Sequence, residues 1–400
     1  MEKIRKVLDQ LNINMGSVVA IIVTLALLFT SGAVMGGFLV AEGVAAIGGH
    51  NAGPSGGGSD GGSSGGSINA GANNNANKQP ITSNSQPGAK TGIVLPCATP
   101  AGNYLSARGE GTKDISSDTE IKSGAAVLVD MTYGVVVADK NADVKIYPAS
   151  MTKVMTLLVA CENAKDPNAL LTVTKQIVDE YNKPVNKGAS VAKTWLEGDQ
   201  VTVEDALNLV IYESDTVACW LLAEYVAGGE SQFVQMMNTK ASSMGLMGTH
   251  FTNCTGLFNT DHYTTCREMA AIMAAAMNND SAKKVLTSKS LYTVDVYNDG
   301  KKVSDISMWS AWYTGRLENN KLPGVAAHYV GGGSDIMIVA GKTGYENIPT
   351  NCFVTAGEND TTGRKYVCVQ VGRTDELSEL VTSSQSTNDT RNIYRKYALE

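Results

Sequence analysis

A serine and a lysine three residues apart, Ser150 and Lys153, form a candidate pair for covalent catalysis. Residues three apart on a helix lie on the same face, one turn along. The Lys153 amine can therefore reach the Ser150 hydroxyl. A serine hydroxyl is a weak nucleophile until a neighbouring base takes its proton, and lysine can be that base where burial and nearby positive charge disfavour its ammonium form. The spacing predicts a nucleophile and its base.

Context separates this pair from two further S-x-x-K strings, which begin at Ser190 and Ser281. A single S-x-x-K string is typical of an ordinary exposed serine and lysine, and we interpret both extra strings in this way. Ser150 instead follows Pro148-Ala149, a helix-start signal, and leads into a long apolar run. We therefore predict a buried helix that begins at Ser150, with free N–H groups and a dipole that stabilise an oxyanion.

A second group of residues, Lys342-Thr343-Gly344, follows an apolar run that is typical of a strand. A lysine and a hydroxyl presented from a strand edge can bind a carboxylate, and the glycine lets a substrate backbone lie close to the strand. Lys122-Ser123-Gly124 has similar chemistry but precedes the nucleophile. We interpret Lys342 and Thr343 as a carboxylate-binding pair.

Strand patterns at both ends of the region that carries these residues predict the elements that position them. Residues 125–143 read as two apolar strands around a Thr-Tyr-Gly turn. The later patterns are helical at 202–212, 214–227, 231–244, 264–278 and 388–398, and strand-like at 335–343, 351–356 and 365–372. This order predicts an α+β fold in which one antiparallel sheet of about five strands, closed by its first and last strands, packs with a helical lobe.

The N-terminal segment from Gln10 to Ala41 contains no charged residue. A membrane-spanning helix needs about 20 apolar residues, whereas the core of a cleaved signal peptide has about 7–15. The run exceeds a signal core, so we expect a retained anchor, with cleavage as the alternative. Lys3, Arg5 and Lys6 precede the run, and the positive-inside rule places the N-terminus in the cytosol. This predicts a single-pass protein of the cell membrane with an extracytoplasmic catalytic domain.

Gly, Ser, Asn and Ala dominate the stretch from His50 to about Thr91. Such a composition has too few apolar side chains to form a core, so we expect a flexible, disordered linker. The predicted organisation is a cytosolic stub and transmembrane anchor at residues 1–49, the linker at 50–95 and the catalytic domain at 96–400.

The composition excludes several function classes. The net charge is -7 and no basic run is dense enough for a nucleic-acid partner. No two of the four histidines stand at metal-ligand spacing, so we expect neither a metal nor a cofactor.

The seven cysteines are dispersed without C-x-x-C and read as small buried hydrophobic residues. Cys352 and Cys368 flank a turn, which leaves a disulfide across a hairpin open as an alternative.

Four longer stretches carry a family resemblance, at residues 140–156, 196–228, 248–272 and 341–372. The chain resembles the serine D-Ala-D-Ala carboxypeptidases, which are the low-molecular-weight penicillin-binding proteins of peptidase family S11 and relatives of the class A β-lactamases. The third stretch resembles the F-x-N-P-x-G-L signature, with Cys254 where the family usually has proline. The resemblance implies a penicillin-binding/β-lactamase-like domain.

The resemblance places the S-x-N element of the family at Ser214-Asp215-Thr216, with threonine in place of asparagine. By analogy, Ser214 bridges the two lysines and passes a proton to the leaving amine. The family's asparagine donates to the substrate amide carbonyl, and a threonine hydroxyl is shorter and has one donor rather than two. The alternative is that these residues only cap the following helix. Both interpretations can hold together.

The implied reaction is acyl transfer on a peptidoglycan stem pentapeptide. Ser150 attacks the carbonyl between the two terminal D-alanines, with Lys153 as base. The backbone N–H groups of Ser150 and Tyr345 hold the oxyanion, and Lys342, Thr343 and Gly344 bind the departing D-alanine. Water then releases the acyl-enzyme. The resemblance also implies β-lactam antibiotics as covalent inhibitors.

Two alternative functions remain open at this point. A class A β-lactamase needs an E-x-x-L-N loop, and Glu204-Asp205-Ala206-Leu207-Asn208 matches that string but precedes Ser214 on a predicted helix. The second alternative is a catalytically impaired homologue that binds peptidoglycan without turnover. In that case, the threonine at position 216 would mark the loss of activity. Trp309 and Trp312 lie in a segment that matches the family poorly, and they either line the substrate entrance or serve as packing residues.

Overall fold

The apolar runs near the two ends of the predicted catalytic domain pair in one sheet in the computed structural model, which describes residues 90, 92–288, 290–308, 335–346, 350–372 and 383–398. Its strands are β1 (Lys113–Asp114), β2 (Ala125–Asp130), β3 (Val135–Lys140), β8 (Ile336–Glu346), β9 (Thr350–Asn359) and β10 (Lys365–Val371). The order is β1-β3-β2-β10-β9-β8. Only the short β1 pairs in parallel, so five strands form the predicted antiparallel sheet.

The early and late strands of this main sheet meet at its centre, where β2 pairs with β10 and Val127 lies opposite Val369. Because side chains alternate between the faces of a strand, each strand contributes side chains to two cores, one on each face of the sheet. Val127 and Val369 belong to the larger core, and their neighbours Leu128 and Cys368 belong to a smaller core on the other face. The first and last long strands therefore join the two parts of the chain, as predicted.

Helices cover both faces of the main sheet. Their bounds are α1 (Lys153–Asn163), α2 (Lys175–Tyr181), α3 (Val203–Tyr212), α4 (Thr216–Ala227), α5 (Glu230–Ser243), α6 (Cys266–Asn278), α7 (Asp280–Thr287) and α8 (Ser383–Tyr397). Helix α6 packs against β2, β9 and β10, while α8 contacts β10 and β9 and contributes Ile393 and Tyr394 to the smaller core. The result is an α+β fold with a helical lobe, as the sequence predicts.

Helix α1 lies at the centre of the helical lobe, against α3, α4, α5 and α6. Its residues from Lys153 to Cys161 are all buried, so the apolar run after the candidate nucleophile forms a core helix as predicted. The predicted start is wrong in detail. Ser150 lies in a 3₁₀ turn, Ala149–Thr152, and the α-helix begins at Lys153.

A second sheet corrects the prediction of a single sheet. It has the order β4 (Leu170–Thr172), β5 (Gln200–Thr202), β6 (Tyr292–Asn298) and β7 (Lys301–Met308). Strands β6 and β7 form a hairpin around Asp299 and Gly300, which have φ angles of 50° and 71°. Such a two-residue Asp-Gly turn matches the right-handed twist of the strands. The turn signal was therefore present in a segment that matches the family poorly.

The alternative of a Cys352–Cys368 disulfide is wrong, since both thiols are free. In the β9–β10 pair, Cys352 lies opposite Val371, and Cys368 lies opposite Thr355. The two cysteines also belong to the two different cores, on opposite faces of the sheet. A disulfide requires Cβ atoms that point towards each other, and this register does not supply them.

Several predictions concern residues outside those that the structure describes. These are the anchor at residues 1–49, all but the last few residues of the linker at 50–95, Trp309 and Trp312. Within the described part of the chain, no helix combines the length and apolar character that crossing a membrane requires. The three-part organisation of the chain stays a prediction.

Candidate active site

The candidate nucleophile and base lie next to each other. Lys153 Nζ is 3.2 Å from Ser150 Oγ and 2.5 Å from the Thr255 carbonyl oxygen, and the Lys153 side chain is buried. A neutral amine has two N–H groups and one lone pair. If one N–H donates to Thr255, the lone pair remains available for the proton of the Ser150 hydroxyl. The pair can therefore act as a nucleophile and its base.

The loop after Phe251 holds the carbonyl that orients Lys153. Asn253 Oδ1 accepts from the backbone N–H groups of Thr255, at 3.1 Å, and Gly256, at 2.7 Å. Thr156 on α1 donates to the Cys254 carbonyl at 2.6 Å. The Cys254 N–H donates to Glu230 Oε1 at 3.0 Å, a bond that proline could not make because it has no backbone N–H. The departure from the family proline therefore adds an anchor to this loop.

Gly256 lies directly against the backbone that carries the nucleophile. Its φ is +85°, and a Cβ built there would overlap the Ala149 carbonyl group and lie 3.0 Å from Ser150 N. Only glycine suits both the left-handed backbone and this close approach. This close contact therefore constrains the position of the turn that carries Ser150.

His262 is a site residue to which sequence reasoning gave no role, although the family-like stretch at 248–272 contains it. Its Nδ1 accepts from the Thr252 backbone N–H at 3.1 Å, so the proton resides on Nε2, which is 2.8 Å from Thr152 Oγ1. Burial, followed by the charges of His250 and Lys153, lowers the pKa of His262 to about 3. A neutral imidazole thus ties the loop to the turn of Ser150.

The Ser214-Asp215-Thr216 element forms the tight turn between α3 and α4. Ser214 adopts a left-handed φ of 56°, and its Oγ accepts from Lys342 Nζ at 3.1 Å. Asp215 caps α4 by accepting the Ala218 N–H at 2.8 Å. It also accepts from Trp195 Nε1 at 3.0 Å, and burial raises its pKa. Helix capping and a contact with the second lysine therefore occur together.

Lys342-Thr343-Gly344 lies on β8, at the edge of the main sheet. Lys342 is buried and also donates to the Thr343 carbonyl at 2.8 Å. A Cβ on Gly344 would overlap Cys352 Sγ and lie 3.0 Å from the Pro148 carbonyl oxygen. This glycine therefore lets the strand approach the segment before Ser150, a packing reason that the sequence interpretation did not include.

A cavity of about 390 Å³ contains Ser150 and Lys153 in its wall. Its lining consists of Ser150, Lys153, Val185, Lys187, Gly188, Ala189, Ser190, Thr216, Thr255, Leu257, Phe258 and Tyr345. Four of the predicted site residues thus lie in the wall, whereas Ser214, Lys342, Thr343 and Gly344 are not among the lining residues. The roles of the predicted residues stay predictions.

Ser190, which we interpreted as an ordinary exposed serine, also lies in the wall of the cavity. Its carbonyl accepts the Thr216 N–H at 2.8 Å. Lys193, the lysine of the same S-x-x-K string, instead pairs with Asp199 at 2.7 Å. Among the residues that the structure describes, no lysine donates a hydrogen bond to Ser190, so its place in the cavity wall and its bond to Thr216 connect it with the site.

The residues of the E-x-x-L-N match serve other contacts. Glu204 Oε1 accepts the Gly92 N–H at 3.0 Å. Asp205 forms a capping box with Thr202 at the start of α3. Asn208 Nδ2 donates to the Glu204 carbonyl at 2.8 Å. None of the five residues of the match belongs to the cavity wall.

A family model described as D-alanyl-D-alanine carboxypeptidase matches residues 112–370. The chain is 31% identical over 194 residues to the D-alanyl-D-alanine carboxypeptidase DacF of Bacillus subtilis, covering 48% of this chain and 47% of the relative. It is 36% identical over 163 residues to DacC of Escherichia coli, covering 40% of each. The chain thus spans half or less of the length of these relatives.

Solved structures share the fold. The Streptomyces K15 DD-transpeptidase aligns with a TM-score of 0.56 at 23% identity, covering 70% of this chain and 98% of that one. Penicillin binding protein 6B of Escherichia coli aligns with a TM-score of 0.52 at 23% identity, covering 69% and 76%. Because the family model covers well over half of the sequence, from the main sheet through the nucleophile turn to β10, the chain belongs to the D-alanyl-D-alanine carboxypeptidase family, peptidase family S11.

Proposed function

We propose that the protein is a serine-type D-alanyl-D-alanine carboxypeptidase that removes the terminal D-alanine from peptidoglycan stem pentapeptides. The observation that carries this proposal is the 3.2 Å contact between Lys153 Nζ and Ser150 Oγ in the wall of an open cavity. The second lysine, Lys342, is 3.1 Å from Ser214 Oγ. A serine with a lysine base, together with a second lysine that can bind a carboxylate, is suited to peptides with a free C-terminus.

The reaction proceeds in two steps. Ser150 Oγ bonds to the carbonyl carbon between the two D-alanines while its proton passes to Lys153. The backbone N–H groups of Ser150 and Tyr345 hold the oxyanion. When the C–N bond breaks, the proton returns through Ser214 to the departing amine. Lys342 and Thr343 bind the carboxylate of that D-alanine. Water then attacks the Ser150 ester and releases the shortened peptide.

Thr216 takes the position of the family's asparagine in this mechanism. The residue is buried but forms part of the cavity wall, and its backbone N–H is already bonded to Ser190. Its side chain offers one hydroxyl donor for the amide carbonyl of the acyl chain. One hydrogen bond contributes about 0.5–1.5 kcal/mol. Thr216 therefore tunes the rate and does not decide whether the reaction occurs.

A class A-like β-lactamase is a weaker alternative. Efficient hydrolysis of the acyl-enzyme would need a carboxylate beside the ester, but Glu204 is bonded to Gly92. Among the described residues that form the cavity wall, none is acidic. A binding protein without turnover is also disfavoured, since it has no need of a lysine beside a serine.

The proposed setting is the outer face of the cell membrane. The uncharged segment from Gln10 to Ala41 is the proposed single-pass anchor, and the Gly/Ser/Asn-rich linker tethers the catalytic domain to it. Peptidoglycan stem peptides are then the substrate, and β-lactams acylate Ser150 as substrate-like inhibitors. A membrane-impermeant fluorescent penicillin that labels intact cells would test this placement.

The activity is tested with the full chain in detergent, a fluorescent penicillin and a peptide that ends in D-Ala-D-Ala. Stable labelling and D-alanine release are expected, and Ser150→Ala should abolish both. Ser281→Ala is the matched control, because it alters another S-x-x-K serine whose hydroxyl donates to the Val94 carbonyl at 2.7 Å. Rapid loss of label with destruction of penicillin would favour the β-lactamase. Neither label nor release would exclude both enzymes.

A further inference from the structure

The loop between α2 and β5 carries a lysine whose charge the proposed reaction does not use. Three lysines lie in this loop. Lys183 pairs with Glu180 at 2.6 Å, and Lys193 pairs with Asp199 at 2.7 Å. Lys187 instead belongs to the wall of the cavity that contains Ser150. Its ammonium group forms no hydrogen bond or ion pair with any residue that the structure describes.

The loop is docked on both sides of Lys187. Before it, the buried Asn186 donates through Nδ2 to the Glu180 carbonyl at 2.8 Å. After it, the Ser190 carbonyl accepts the Thr216 N–H at 2.8 Å. The Lys187 backbone is therefore held, while the side chain stays exposed at the cavity. A cation in this position can bind a ligand with little further ordering of the loop.

The wall of the cavity differs in charged residues from the protein as a whole. The chain has a net charge of -7, yet the described residues of the cavity wall include two lysines, Lys153 and Lys187, and no aspartate or glutamate. Lys153 serves Ser150 and the Thr255 carbonyl. Lys342 is assigned to the C-terminal carboxylate of the substrate. Lys187 is left as a second cation in addition to Lys342, which favours a ligand with a second negative group.

The position of Lys187 indicates which part of the substrate carries that group. Lys342 and Ser214 mark the side of the departing D-alanine. Lys187 is three residues from Ser190, which is bonded to Thr216, the residue proposed to contact the acyl chain. We propose that Lys187 is a specificity-determining residue that binds a carboxylate on the side chain of the residue preceding the terminal D-Ala-D-Ala. This inference rests on the proposed function.

The test compares two peptides that differ only in that group. One carries L-2-aminopimelic acid before D-Ala-D-Ala, and the other carries its ω-amide, which has the same length without the charge. The full chain should release D-alanine from the acid with a kcat/KM roughly threefold to tenfold higher, as expected for a partly exposed charged contact. The preference should shrink as salt is raised. The ratio within one protein does not depend on the fraction of active enzyme.

Lys187→Gln should bring the ratio close to one, and Lys187→Glu should reverse it. The matched control is Lys183→Gln, on the same loop but paired with Glu180, which should keep the preference of the original chain. Melting curves verify that each variant is folded. Release of D-alanine from both peptides without a preference, or a preference that Lys187→Gln retains, would overturn the inference and leave the carboxypeptidase proposal intact. Failure to release D-alanine from either peptide, with no penicillin labelling, would reject both.

Discussion

Replacing Gly256 by alanine tests whether the loop after Phe251 sets the position of the nucleophile. Two costs add at this position. Alanine in a left-handed conformation costs about 1–2 kcal/mol. The new Cβ would also overlap the Ala149 carbonyl group and lie 3.0 Å from Ser150 N, and crowding of a packed interior costs about 1–3 kcal/mol more. The free energy of unfolding should therefore fall by about 2–5 kcal/mol.

The substitution should slow acylation as well as lower stability. The overlap is with backbone, so the turn of Ser150 must move, and a displacement of about 1 Å can reduce a rate by about 100-fold. Urea unfolding measures stability, and the acylation rate with fluorescent penicillin measures the site. Gly245→Ala is the matched control, because Gly245 has a φ of +73° but no atom within 4 Å of its Cβ position. It should show the backbone cost alone and normal acylation. Equal losses of stability and acylation in both variants would refute the reasoning.

Three further predictions follow from other contacts of the site. Thr216→Val removes the hydroxyl at nearly constant volume and should lower kcat/KM for D-alanine release by about tenfold, the equivalent of one hydrogen bond; an unchanged value would remove Thr216 from substrate binding. Glu204→Gln should leave the lifetime of the penicilloyl-enzyme unchanged, whereas a longer lifetime would revive the β-lactamase alternative. Lowering the pH should destabilise the fold through His262. Its pKa falls from 6.5 to about 3 on folding, so the unfolded chain binds more protons between these values. The expected loss at pH 5 is about 2 kcal/mol relative to pH 7, and it should be absent from His262→Asn in urea unfolding at both pH values.

The sequence predicted the site best where chemistry and apolar patterns coincide. Ser150 and Lys153 stand at the start of a run that becomes a buried core helix. Lys342 follows an apolar run that becomes an edge strand. In both cases an apolar run predicts the element, and the element then fixes the direction of the polar side chains. The order of these elements along the chain was enough to predict which strands close the main sheet.

The missed features depend on contacts between segments that are distant in sequence. Ser190 and Lys187 lie in a loop without apolar periodicity, so nothing local showed that it docks on Thr216. His262 acts through Thr152, which is 110 residues away. The disulfide alternative failed for a similar reason, because the register of β9 and β10, which no local pattern reveals, places Cys352 and Cys368 on opposite faces.

The two departures from the family pattern have different physical consequences. Cys254 gains a backbone N–H that proline lacks and uses it to bond Glu230 at the start of α5, so this change strengthens the loop that orients Lys153. Thr216 keeps a polar group in the cavity wall but offers one donor where asparagine offers two. The change at position 254 therefore affects the positioning of the catalytic base, and the change at position 216 affects substrate binding. Because Lys187 and Thr216 line the same cavity, a charged contact from Lys187 to the substrate would offset part of the lost amide contact. The substrate preference of this chain should then depend on charge more than that of a relative with asparagine at this position.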